Sequence, residues 1–366
     1  MKLEFQERQF VPVLLGGDIN TYSVARAFYE AYHVKSYVFG KYMSGPSCYS
    51  KITNYRANPK MDTDEMILKA VNALSNRYKN KKIFVLGCGD NYVMAVNHCK
   101  ERFPDNVIAP YIDIEQMSQL VNKEHFYELC DKYGIDHPAT LIYRREMGMD
   151  FEVNFTYPVV LKPSDGVDYF AHSFEGQNKV YIIRSRKMLE ETIQKIYEAG
   201  YSDSLIIQDM IPGNDEYMRV LTSYSGKDKK VKMMCLGHVL LEEHTPLGMG
   251  NHALILTEPN KPLMEKAKKL LEEIGFTGFS NFDIKYDSRD GKYKFFELNV
   301  RQGRSNFYVT NSGFNIAKYL VEDYIENKDI PFEIAQDEYL WMVVPKYVAF
   351  KYVKDAGTKK KMRRLI

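Results

Sequence analysis

The chain has 366 residues, with 45% hydrophobic and 27% charged side chains, which describes globular protein of about two to three domains. No apolar run approaches the roughly 20 residues of a membrane-spanning helix, and the opening MKLEFQERQF has no secretion-signal core. Residues 346–366 carry eight basic side chains and one acid, a local +7, so the net +2 of the whole leaves −5 on residues 1–345 and excludes a basic nucleic-acid-binding body.

In chain order, Val11 to Leu15 reads as a short strand ending in Gly16-Gly17-Asp18. Thr21 or Ser23 is expected to cap a helix through SVARAFYEAY. A strand at Ser36–Gly40 follows, then a helix from Asp62 to Tyr78. Strand KKIFVLG then ends in Gly87-Cys88-Gly89-Asp90 before another helix. PVLLGGDINTY and FVLGCGDNYV are two versions of one strand–Gly–Asp–helix unit. Alternating strands and helices predict a parallel sheet with ligand loops at its carboxyl ends. The third glycine of a dinucleotide fingerprint would fall at Tyr92, so that motif is incomplete. The turns are then tight connections, or they line a pocket for a second substrate.

A new unit begins near Met117. Its helix, VNKEHFYELCDKYG, stops at Gly134, a good C′ residue. TYPVVLKPSDG is a buried strand with Lys162 near its end, where a cation is costly unless it meets an anion. Ser164 to Asn178, with Gly166 and Gly176, reads as a flexible polar flap. Strand VYIIRS and helix KMLEETIQKIYEAG complete this α+β unit. Long β segments follow in SLIIQDMIPG, DEYMRVLTSY and KKVKMMCLGHVLLEEH, with a Gly-rich substrate loop HTPLGMGNHALI and a helix KPLMEKAKKLLEEIG. GFNIAKYLVEDYIENK is an amphipathic helix. The five scattered cysteines lack any C-x-x-C pair and fit reduced thiols in a cytoplasm.

The most informative stretch is SNFDIKYDSRDGKYKFFELNVRQGRSN, from Ser280 to Asn306. Two period-2 strands flank a turn centred on Gly291. Pairing Tyr286 with Lys294 sets Phe282 opposite Leu298 and Ile284 opposite Phe296 on one face. The other face carries Asp283 opposite Glu297 and Asn281 opposite Asn299. Acids on a strand are commonly just its solvated side. Two carboxylates and an amide oxygen converging on rigid strands also suit Mg²⁺. Arg301 and Arg304 follow at once, ready to meet negative charge.

These motifs resemble the ATP-grasp superfamily, in the branch of carbamoyl phosphate synthetase and biotin carboxylase, from about Met117 to Asn327. The resemblance implies ATP between two α+β lobes behind a parallel αβ domain: residues 1–116 as that domain, 117–205 as lobe A, 206–330 as lobe B and 331–366 as a basic tail. It implies phosphate contacts from Lys123 and Lys162, and a flap contributing Ser173 and Gly176. Asp209 would meet the adenine amino group, Ile211 the ring through its backbone, and Glu216 the ribose. Asp283, Glu297 and Asn299 would hold Mg²⁺ or Mn²⁺, with Arg301 and Arg304 beside the transferred phosphate. The flap SFEGQNK has one glycine where the family commonly has several, and Asp209 and Asp283 stand where Glu or Gln is more common.

FVPVLLGGDINTYSVARAFYEAYHVKS and CLGHVLLEEHTPLGMGNHALI resemble the D-aspartate ligases of Gram-positive cell-wall synthesis. That implies ATP-dependent joining of a small amino acid to an amine acceptor, the lysine of a peptidoglycan precursor, through an acyl phosphate. Rival readings are a dipeptide-forming or carboxylase-like enzyme of the same fold, or a nucleotide sensor without turnover. His238, His244 and His252 lie near the expected substrate loop and are candidate bases, although a lone histidine is more often structural. The basic tail reads as a loosely packed solvated end, or as a weak contact for an anionic membrane or pyrophosphate.

Overall fold

The parallel layer is built from apolar runs that end in Gly-Asp turns. In the computed structural model, which describes residues 3–245, 248 and 250–366 apart from the Val167 side chain, the first run is β1 (Phe10–Leu15), buried at every position. Then come α1 (Ile19–Tyr32), β2 (Ser36–Gly40), β3 (Thr53–Ala57), α2 (Asp64–Arg77), β4 (Lys82–Gly87), α3 (Asp90–Cys99) and β5 (Val107–Ile108). The sheet order is β3-β2-β1-β4-β5, all parallel. Leu15 pairs with Gly87, so the two Gly-Asp turns lie side by side at the carboxyl edge. The cap of α1 is Asp18, which accepts from Thr21 N at 3.3 Å. Thr21 and Ser23 are buried inside the helix, so neither is its cap.

Next are α4 (Ile114–Val121), α5 (Lys123–Tyr133), β6 (Thr140–Tyr143), β7 (Val159–Pro163), α6 (Gly166–Ala171), β8 (Tyr181–Ile183), α7 (Arg186–Glu198) and β9 (Leu205–Asp209). β6-β9-β7-β8 form an antiparallel sheet. Leu189, Ile193 and Ile196 of α7 pack on it. α5 ends as expected, at Gly134 in the left-handed conformation. The 164–178 segment carries more regular structure than its polarity suggested. It contains α6, and Tyr169 is fully buried with its hydroxyl 2.6 Å from that of Tyr181. One aromatic anchor outweighs the polar surroundings.

The largest sheet comes from β10 (Met218–Ser225), β11 (Val231–Glu242), β12 (His252–Thr257), then α8 (Lys261–Glu273), β13 (Gly278–Asp287), β14 (Lys292–Asn299), α9 (Phe307–Asn311), α10 (Ile316–Tyr324), β15 (Glu333–Ile334) and β16 (Leu340–Met342). Its order is β14-β13-β10-β11-β12-β16, with β15 beside β11. Leu263, Met264, Ala267, Leu270 and Leu271 of α8 are buried. Phe10, Phe28 and Phe84 of the parallel layer share a core with Val220, Tyr224 and Met233 of the large sheet. The two layers are therefore packed against each other through apolar side chains.

The C-terminal segment is not loosely solvated. Trp341 sits in β16, paired with Ile255. α11 (Lys346–Tyr352) and α12 (Ala356–Leu365) follow, with Ala349, Val353 and Met362 fully buried against Leu254 and Leu256. Lys361 and Arg364 both bond Glu338, so two of the tail cations are neutralised within the fold. The composition hid this because the apolar residues of the tail are spaced irregularly around Pro345. Pro345 accordingly starts α11 rather than lying inside a helix. The expected substrate loop HTPLGMGNHALI falls partly outside the described residues, at Pro246, Leu247 and Met249.

Candidate functional site

β13 and β14 pair antiparallel with Asn281 opposite Asn299 and Asp283 opposite Glu297, as the alternation predicted. The register then slips. Ile284 pairs with Phe295, and Lys285 with Lys294, because a bulge occupies the chain at Phe296. Phe295, not Phe296, is the fully buried ring. The bulge also directs the Phe296 carbonyl to the Tyr127 hydroxyl, which donates to it at 2.9 Å. Buried Asn281 donates to Thr222 Oγ1 at 2.9 Å. A Cβ on Gly303 would lie 2.9 Å from Asn281 Oδ1, so this close return of the loop needs glycine.

Burial and the neighbouring Glu297 carboxylate push Asp283 well above the usual carboxylate range. Burial also acts to raise Glu297, but Lys123 and Lys162 outweigh it and hold the group at about 2. Two facing carboxylates that cannot both ionise comfortably are a donor set suited to a cation. Asn299 adds an amide, whose Nδ2 lies 3.4 Å from Glu297 Oε1.

Opposite this pair, Lys123 opens α5 and Lys162 stands on β7. Burial, then Lys123, lowers Lys162 to about 7. Its Nζ is 3.4 Å from the Tyr127 hydroxyl and 5.8 Å from the Phe296 ring centre. Gln208 also donates to Tyr127 at 2.7 Å. Sequence reasoning missed Tyr127 because a tyrosine on an amphipathic helix looks like core.

Below lies the strand-to-hinge segment. Asp209 closes β9, and its carboxylate is bridged by Arg289, at 3.2 Å from Nη1. Lys285 Nζ donates to the carbonyls of Ile211 and Gly213 at 3.0 and 2.8 Å. Lys285 was also missed, although period 2 puts it on the face of Asp283. Glu216 sits in a short turn whose carbonyl accepts from His238 at 2.7 Å and Arg219 at 3.0 Å. Ser173 and Gly176 are exposed on the flap, and Gly176 has φ +80°.

Three histidines were candidate bases. His238 is fixed against the Glu216 carbonyl and Glu258. His244 is exposed and paired with Asp215, which raises its pKa. Burial, then Arg304, lowers His252 to about 4, so it is neutral near pH 7. Beside it, burial and Asp215 raise Glu242 to about 7. No sequence signal marked that carboxyl. Arg304 pairs with Glu243 at 2.8 Å, on the substrate-loop side.

Arg301 points to the parallel layer. Its Nε and Nη2 donate to Asp90 at 2.6 and 2.8 Å, and Nη2 also reaches Asn299 Oδ1 at 3.2 Å. Burial disfavours its charge, but Asp90, Asp283 and Glu297 hold it firmly ionised. Buried Gln302 donates to Gly87 O at 3.2 Å, and buried Asn306 donates to Asn20 Oδ1 at 2.9 Å. The loop after the hairpin is thus fastened to both Gly-Asp turns. The site brings together Lys162, Asp283, Glu297, Asn299 and Arg301, with Lys123 within electrostatic reach. Asp209, Ile211 and Glu216 form a neighbouring group, and Arg304 lies apart with Glu243.

No family model matches the chain. A D-aspartate ligase of Enterococcus faecium is 40% identical over 378 residues, covering 100% of this chain and 90% of that one. A D-alanine–D-alanine ligase of Wolbachia pipientis is 23% identical over 223 residues, covering 57% of this chain and 67% of that one. Among solved structures, an N5-carboxyaminoimidazole ribonucleotide synthetase in its ADP complex aligns with TM-score 0.65 at 15% identity, over 99% of this chain and 87% of that one. An L-amino acid ligase from Bacillus licheniformis aligns with TM-score 0.59 at 14% identity, over 87% and 75%. The fold is that of the ATP-grasp ligases, whose members use ATP and Mg²⁺. With full-length identity of this order, the chain belongs to the D-aspartate ligase family and is an ATP-dependent carboxylate–amine ligase.

Proposed function

We propose that the chain activates the β-carboxylate of D-aspartate with ATP and transfers it to the lysine side chain of a peptidoglycan precursor. The observation that carries this reading is the facing of two charge sets. Asp283, Glu297 and Asn299 stand on one side, with Lys123 and Lys162 on the other and Arg301 at the edge. A triphosphate carries the negative charge such cations suit. A divalent cation suits the two carboxylates.

A carboxylate is a poor electrophile, so it must first gain a leaving group. A carboxylate oxygen attacks the γ-phosphorus and the bond to ADP breaks. The amine then attacks the acyl carbon, inorganic phosphate departs, and the amine proton passes to a base or to solvent. Asp283, Glu297 and Asn299 would hold Mg²⁺ or Mn²⁺, which neutralises phosphate charge when bound. Lys162 and Lys123 balance the remaining charge. Ile211 offers its backbone to adenine, with Lys285 fixing the carbonyls of that segment. Glu216 faces the ribose. Asp209, tied to Arg289, shapes the hinge. Ser173 and Gly176 lie on the flap that covers the phosphates.

We divide the chain at 116, 205 and 330, although the cut at 205 parts β9 from the sheet it shares with β6 and β7, and the cut at 330 parts β15 and β16 from the large sheet. Free cysteines and the lack, among the described residues, of any helix long and apolar enough to cross a membrane accord with a cytoplasmic enzyme. Exposed Tyr347 and Tyr352 beside Lys346 and Lys351 support weak contact with an anionic membrane or precursor. The test is hydroxamate trapping. ATP, Mg²⁺, D-aspartate and hydroxylamine are expected to yield aspartyl hydroxamate, ADP and phosphate. Release of AMP and pyrophosphate refutes the acyl-phosphate route.

A further inference from the structure

Asp90 lies in the parallel layer, yet its side chain ends on an arginine beside the phosphoryl site. The two residues are separated by 211 positions and are joined by a two-pronged bridge of 2.6 and 2.8 Å. This fork-on-fork geometry fixes both the place and the plane of a guanidinium. The turn that carries Asp90 is itself held. Gly87 N donates to the buried Tyr111 hydroxyl at 2.8 Å, and Gly87 O accepts from Gln302 at 3.2 Å. A Cβ on Gly87 would lie 2.6 Å from Val93 N, so α3 starts hard against the strand. Gln302 follows Arg301 directly, and its carbonyl accepts from Arg301 Nη1 at 3.1 Å. Arginine has five N–H donors. Asp90 takes two, Gln302 O one and Asn299 Oδ1 one, which leaves a single Nη1 donor and a fixed direction for it.

We propose that Asp90 is a positioning residue for Arg301: it holds the guanidinium in place for the transferred phosphoryl group, so the second Gly-Asp turn takes part in chemistry without touching substrate. This rests on the proposed role of Arg301. The alternative, that Asp90 parks Arg301 away from its work, predicts the opposite sign. Arg301 already touches Asn299 while bridged to Asp90, so the bridge holds it within the site rather than outside it. Asp90 is 67% exposed against 13% for Arg301, so its replacement disturbs little packing. Rigid support of this kind is what a site needs when binding energy is to act mainly in the transition state.

The test compares Asp90→Asn, Asp90→Glu, Arg301→Ala and Asp90→Asn/Arg301→Ala in ADP release with D-aspartate and hydroxylamine. Melting temperature and ATP affinity are measured beside the rates. Asp90→Asn is expected to lower kcat at least tenfold, with KM for ATP, KM for D-aspartate and melting temperature unchanged. Asp90→Glu, which keeps the charge, recovers part of the loss. The double variant is expected to be no slower than Arg301→Ala alone, since residues acting as one unit are not additive. If Arg301→Ala keeps full turnover, the role of Arg301 itself is wrong. If Arg301→Ala is slow and Asp90→Asn is not, only the positioning proposal fails. A full further loss in the double variant, or a rise in KM for D-aspartate alone, would make Asp90 a direct substrate ligand and overturn it. Faster turnover in Asp90→Asn would establish parking instead.

Discussion

Lys162 offers a prediction in which the sign of a pH effect is fixed by the fold. Its ammonium is disfavoured by burial and by Lys123 and Lys179, and favoured by Glu297 and Asp283, with the balance at about 7 in the free protein. ATP phosphates favour the charged form, so binding raises this pKa. Below pH 7 the ammonium is already present and binding takes up no proton. Above it, each bound ATP draws in a proton, and affinity falls as pH rises. At about pH 8 some nine-tenths of the free protein carries a neutral amine, which weakens ATP about tenfold, or about 1.4 kcal/mol. Lys162→Arg stays charged and should lose this dependence. Titration calorimetry in two buffers of different ionisation enthalpy, at about pH 6 and about pH 8, reads the uptake directly. Nucleotide titration contributes equally to both proteins, so the difference between them isolates Lys162. Equal proton uptake by wild type and Lys162→Arg at the higher pH would refute the reasoning.

Further outcomes follow from the same contacts. Glu297→Gln should abolish most turnover and melt somewhat lower than wild type near pH 7, because the lost attraction to Lys123 and Lys162 outweighs the relief of repulsion against Asp283; retained activity would dismiss the cation site. Phe295→Ala should cost about 3–5 kcal/mol in urea unfolding and Phe296→Ala far less, since only Phe295 is fully buried; equal losses would place the bulge elsewhere. Lys285→Met should weaken ATP several-fold by freeing the carbonyls of Ile211 and Gly213, with kcat at saturation little changed. Met362→Ala should destabilise by about 2–5 kcal/mol, whereas Lys359→Gln/Lys360→Gln should leave hydroxamate formation intact and lower binding to anionic vesicles at low salt; unchanged vesicle binding would show those lysines to be merely solvated.

The acid pair was legible because strand alternation is a local rule. Asp283, Glu297 and Asn299 could be set on one face from a turn and a period of two. The bulge could not, since it depends on the Tyr127 hydroxyl of a helix remote in the chain and on which phenylalanine fills the core. Asp18 was overlooked as a cap because Thr21 and Ser23 offer the same chemistry a few residues on. The flap looked flexible because its polarity is local, while the burial of Tyr169 is tertiary. E-x-N-x-R put Arg301 beside the acid pair, and its contact with Asn299 agrees with that placement. Its partner could not be placed, because a contact across 211 residues leaves no period to read.

The amides that fasten the post-hairpin loop to the parallel layer bear on how such proteins can be recombined. Asn20, Gln302 and Asn306 are all buried, at 2%, 2% and 0% exposure, and Gln302 and Asn306 both donate across the seam to Asn20 Oδ1. A chimera that took residues before Met117 from a relative and kept the rest would strand one side of this set. Each buried amide left unpaired costs about 1–3 kcal/mol, a large share of the about 5–15 kcal/mol by which a typical protein is stable. The three residues should therefore be exchanged together or not at all, and a library built by shuffling the two layers should recover folded members mainly where the parental amide set is restored.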